Sequence, residues 1–82
     1  MTDSIHPAPA EFSDEQVAAD PILRYFHWAH LPEKLANVSR PFCDLARGIV
    51  LDLPRNAERS VALRKLLEAK DAAVRANVGW GS

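Results

Sequence analysis

Two apolar seams of matched spacing, separated by one short break, limit what this chain can fold into. Leu35, Val38, Phe42, Leu45 and Ile49 recur at intervals of 3, 4, 3 and 4. Ala62, Leu66, Ala69, Ala73 and Ala76 recur at 4, 3, 4 and 3. Such intervals line up one side of an α-helix, whereas a strand repeats every two residues. Leu53-Pro54-Arg55-Asn56 lies between the seams as a tight connection, with Asn56 a good N-cap and Glu58 in the first turn that follows. Two seams joined by so short a turn predict an antiparallel helical hairpin, with no internal repeat and no strand alternation.

The helix ends are readable too. Pro32-Glu33 opens the first long helix. Pro41 falls inside it, lacks the N–H that would reach the Asn37 carbonyl and crowds that carbonyl with its ring. The helix is therefore expected to kink there or to restart with Ser39 as a cap. The second long helix is expected from about Ala57 to Ala76, with Asp71 and Arg75 paired on its outer face and Gly79-Trp80-Gly81 ending it. Leu63, Leu67 and Val74 widen its apolar stripe beyond what one partner helix covers. That surplus, in a chain of 82 residues with one cysteine and no evident metal site, predicts self-association.

Charge divides the chain. Residues 1–20 carry five carboxylates and no Lys or Arg, and the rest carries ten basic residues against six acidic ones. Residues 1–20, with Pro7 and Pro9, read as a flexible acidic arm. Within it Ser13-Asp14-Glu15-Gln16 resembles a helix start, with Phe12 and Val17 as anchors. Residues 21–82 read as the hairpin domain that binds a ligand. A net charge of −1 argues against non-specific duplex DNA binding, while the mildly basic body suits a small anion. Cys43 has no partner for a disulfide, which fits a reducing cytoplasm. No signal peptide or membrane span is expected.

Catalysis has little to work with. His27 and His30 share a spacing that metal ligands sometimes use, but no third ligand sits nearby. Cys43 reads as a small buried apolar residue. There is no Gly-rich phosphate loop, paired-carboxylate motif or nucleophile elbow, so the chain reads as a binding protein and no enzyme, without cofactor or metal. Binding has more. Tyr25, Phe26, His27 and Trp28 form a dense run of rings, bracketed by Pro21 and Pro32. A base stacked on a ring gains ~1–3 kcal/mol, and Arg40, Arg59, Lys65 and Lys70 offer cations for phosphate. The plainer reading of the rings is a mini-core closing the open end of the hairpin. Lys70 flanks the apolar stripe, where it either snorkels or faces an anion. A helix-turn-helix DNA-binding regulator is the main rival from another class. Its motif uses shorter helices that cross near the perpendicular. A protein that blocks a host enzyme by contact comes third.

Several stretches resemble a known family. Phe26-His27-Trp28-Ala29-His30-Leu31-Pro32, Val38-Ser39-Arg40-Pro41-Phe42, Leu53-Pro54, Glu58-Arg59-Ser60 and Leu66 through Ala76 are similar to the phage helical-hairpin domain of anti-CBASS and anti-Thoeris sponges. The resemblance covers roughly residues 22–78. It implies a compact helical protein that assembles as a hexamer and holds cyclic dinucleotides between protomers, some relatives also holding cyclic trinucleotides at separate sites. Sequestration without cleavage would keep the host's effector off, in the cytoplasm of an infected bacterium. By position the resemblance makes Trp28 the stacking ring, with Tyr25 or Phe26 as alternatives, and Arg40 and Arg59 phosphate contacts. The chain departs from the family by carrying Trp or His where a Tyr is expected and by adding Pro41. Anti-Thoeris relatives bind cyclised ADP-ribose signals, so that ligand class stays open.

Overall fold

A computed structural model describes residues 11–79, and these are all-helical. Helix α1 spans Asp14–Ala19, a 3₁₀ helix follows at Pro21–Phe26, and two long helices, α2 (Glu33–Asp52) and α3 (Ala57–Asn77), complete the chain. The two long helices make the most extensive contact in the molecule, as the hairpin requires, and the 3₁₀ helix packs on both.

Local chemistry sets the ends. Ser13 Oγ accepts from the Gln16 N–H while the Gln16 side chain accepts from the Ser13 N–H, a full capping box at the start of α1. Asn56 accepts from the Arg59 N–H at 2.9 Å and opens α3. Helix α3 stops at Asn77, two residues before Gly79, whose φ of 88° lies in the left-handed region that glycine adopts without penalty. Trp80 and Gly81 lie outside the described residues. Pro41 does not divide α2, which runs through it as one helix, and Ser39 is a buried interior residue with its Oγ unpartnered instead of a cap.

The buried lines are displaced from the expected seams. On α2 the buried residues are Ser39, Cys43 and Ala46, whereas Leu45 is 58% exposed. On α3 they are Arg59 and Leu63, whereas Ala69 and Ala76 face solvent. The cause is a third packing partner. Phe12, Leu23 and Phe26 come down on the hairpin and share one core with Cys43, Ala46 and Leu63. The line of α2 that meets the N-terminal segment carries small side chains, and a leucine there would hold the backbones apart. Phe42 and Ile49 pack at the margin of this core. Within residues 11–20, Glu11 and Phe12 are each only 4% exposed and dock on the hairpin. Residues 1–10 lie outside the described residues. The ring segment does close a core, but on the flank of the hairpin beside its connecting turn. Ala19 and Asp20 meet Arg55 there, and Asp20 also meets Arg59.

The apolar surplus also moves. Leu63 is used up inside the chain, and Leu67 packs against the core. The large apolar side chains left exposed include Leu45, Leu51 and Leu53. Leu45 and Leu53 border a shallow depression of about 340 Å³ along the end of α2, lined also by Gly48 and Ile49 between Asp44 and Asp52.

Candidate functional site

The 3₁₀ helix ends at His27 in extended backbone, and the chain then turns through residues 28–31 before α2 begins. Trp28 leaves this turn half-buried against the core, within reach of α2. The Arg40 guanidinium lies over its ring, 5.0 Å from the centroid. The face of a Trp ring attracts a cation by its quadrupole, at ~0.5–1 kcal/mol where water still reaches the pair. Arg40 itself is exposed, and the Trp28 Nε1–H is buried, directed at the Cys43 thiol. One ring and one cation are thus presented side by side at the surface, the two groups a nucleotide needs for its base and its phosphate.

The turn is held from beneath by Glu11. Its Oε2 accepts from the backbone N–H groups of Trp28 and Ala29, both at 3.1 Å, and His27 Nδ1 lies 3.1 Å from Oε1. Burial alone would raise the carboxyl pKa, but these hydrogen bonds favour the charged form and hold it below the usual glutamate range. The Glu11 carbonyl in turn accepts two hydrogen bonds from the Arg47 guanidinium on α2, at 3.1 and 3.3 Å.

The remaining candidates are placed elsewhere. Phe26 is 1% exposed and belongs to the core, so its ring is closed to a ligand. Tyr25 is 55% exposed, with the Arg24 guanidinium 5.5 Å from its centroid. His27 faces Glu11. Arg59 is 5% exposed and its guanidinium donates to Asp20 at 3.0 Å, so its charge is already engaged by a carboxylate. Around it a polar cavity of about 260 Å³ is lined by Asp20, Arg55, Asn56, Arg59 and Ser60. Lys65 is exposed beside Glu68, 3.9 Å away. The Lys70 side chain is only 13% exposed, and its ammonium lies 3.3 Å from Asp71. Asp71, expected to pair with Arg75, thus has a cation next to it in sequence.

Trp28 and Arg40 are the candidates the fold brings together. Cys43 is fully buried, and loss of water pushes its thiol up to about 11 against the opposing charge of Arg47. Such a thiol stays protonated near neutrality and is a poor nucleophile. Among the described residues no group of three or more His, Cys, Asp or Glu side chains is placed to hold a metal ion.

Glu11, Asp20 and Arg47 escape a reading by sequence. Their partners lie 16 to 39 residues away, and a carboxylate in an acidic, proline-bearing segment carries no local mark of burial. The one available hint for Glu11 is its neighbour Phe12, an aromatic residue with nothing apolar beside it in sequence. Compared with protein-family models, curated proteins and solved structures, the chain matches none.

Proposed function

We propose that this protein is a phage anti-defence sponge. It binds cyclic oligonucleotide messengers of CBASS-type immunity, and sequesters them without cleavage. The observation that carries the reading is the Trp28–Arg40 pair, a surface ring with a guanidinium 5.0 Å above it. When a base takes the ring face, Arg40 swings off it towards the phosphate that the base carries, and no new side chain has to be recruited. The family resemblance of residues 22–78 supplies the ligand class. A sponge needs affinity and no turnover, and a protonated, buried thiol is no obstacle to that role.

The protein works as a homo-oligomer, a hexamer by the same resemblance, with ligand held between protomers. Exposed Leu45 and Leu53, which border one depression at the end of α2, support this, since a contiguous apolar patch on a surface marks a contact site. Among the described residues no helix is long and apolar enough to cross a membrane, and the cytoplasm of the infected cell is the proposed place of action.

The test is native mass spectrometry of the purified protein against 3′,3′-cyclic GMP–AMP, cyclic di-GMP, a cyclic trinucleotide, a cyclised ADP-ribose and a short DNA duplex. The expected result is an assembly of several chains that takes up one of the cyclic nucleotides and returns it intact on denaturation. Uptake of the cyclised ADP-ribose alone would move the protein to the anti-Thoeris class. Linear nucleotide in the recovered ligand would make it an enzyme. Binding of the duplex alone would make it a DNA-binding regulator.

A further inference from the structure

Glu11 is a buried carboxylate that makes no ligand contact in the reading above. Both its oxygens are occupied by one short segment, residues 27–29, which has no regular structure of its own. Its carbonyl is gripped by Arg47, which follows Arg40 by two helical turns on α2. One residue therefore ties the backbone of Trp28 to the helix that carries Arg40. Without its carboxylate, the N–H groups of Trp28 and Ala29 lose their acceptor.

We propose that Glu11 is a positioning residue for the Trp28–Arg40 site: it fixes the turn that presents the Trp28 ring beside the Arg40 guanidinium, so the site is assembled only when the N-terminal segment is docked. This rests on reading that pair as the ligand site. The groups facing Glu11 are His27 on the turn and Arg47 and Cys43 on α2, with Asp44 paired to Arg47 at 3.8 Å. The two backbone N–H groups and the His27 hydrogen bond favour the carboxylate.

The experiment uses the full chain with Trp80→Phe, which leaves Trp28 as the single indole. Glu11→Ala and Glu11→Gln are compared with this parent by iodide quenching of Trp28, circular dichroism, and calorimetric titration with the cyclic nucleotide that the parent binds best. Glu11→Ala is expected to keep its helices, to raise iodide access to Trp28 at least about twofold and to weaken the ligand about tenfold. Glu11→Gln, which still offers an oxygen to the two N–H groups, should recover most of both losses. A folded Glu11→Ala protein with parental quenching and affinity would overturn the proposal. If Glu11→Ala unfolds, acid titration of the parent decides. Exposure of Trp28 ahead of the loss of helical signal supports positioning, and simultaneous loss overturns it. If the parent binds none of the cyclic nucleotides, the functional reading fails, but the quenching result still decides whether Glu11 positions Trp28.

Discussion

Trp28 and Arg40 differ in what else they do, and that difference shapes the mutations. Arg40 is exposed and touches the ring from outside, so Arg40→Ala should leave helicity and assembly intact while removing a charge-assisted hydrogen bond of ~1.5–3 kcal/mol. Trp28→Ala should remove ~1–3 kcal/mol of stacking, but Trp28 also packs on the core and some stability goes with it. Calorimetric titration should show each change weakening a cyclic dinucleotide by roughly ten- to a hundredfold. Parental affinity in both folded variants would put the pocket elsewhere. Glu11 makes a separate prediction for acid. Its folded pKa is depressed, so the folded state binds its proton less readily than the unfolded chain does. The stability this contributes is fully present above the unfolded glutamate pKa of about 4.3 and is lost as pH falls through the lower, folded value. Urea midpoints measured through that window should fall less steeply for Glu11→Gln than for the parent. Equal slopes would show that the carboxylate adds nothing.

Helix α2 carries its large residues beside its buried line instead of along it. Where Ser39, Cys43 and Ala46 face inward, the backbone is approached from two sides, by α3 and by the 3₁₀ helix. Ala46→Leu should therefore overpack this junction and cost ~1–3 kcal/mol. Ala69→Leu, at a position the 4-3 spacing assigns to the inner face of α3 but which faces solvent, should change stability by no more than ~0.5 kcal/mol. Chemical denaturation of the two variants compares them directly, and equal costs would restore the original seams. The caps behave differently from the seams. The Ser13 box and the Asn56 cap form within three residues of chain, so no distant partner can displace them.

At the scale of the whole molecule the described chain is a slab, 39 × 37 × 17 Å across its Cα atoms. The thin dimension accommodates two helical layers at the usual 8–10 Å spacing, the hairpin and the N-terminal segment laid on it. Among the described residues no third layer covers Leu45 and Leu53, which stand 58% and 47% exposed beside one depression. Leu45→Glu with Leu53→Glu should break an assembly that uses this face and leave helicity intact, because neither side chain belongs to the core. Sedimentation at micromolar concentration should then show a species of one chain near 9.1 kDa, where the parent shows several. An unchanged sedimentation profile would move the contact to another surface.

What the amino-acid order decided by itself is whatever depends on neighbours a few residues apart. Four-residue signals determined both caps, the 3-4 periodicity determined two long helices and a turn between them, and Gly79 determined where the second one stops. Local order alone offered several rings before α2 and four cations, Arg40, Arg59, Lys65 and Lys70, and it was the family resemblance that singled out Trp28 and Arg40. Tertiary structure alone decided which line of each helix is buried, because that depends on how many partners converge on it. It also decided the fate of charged residues. Arg59 resembled a phosphate contact and is buried against Asp20, while Glu11 lay in an acidic segment and became the acceptor that holds the Trp28 turn. Hydropathy along the chain has no information about such pairs. A charge is kept in the interior only when a distant segment brings an opposite charge or free N–H groups to it, and that meeting exists only in the folded chain.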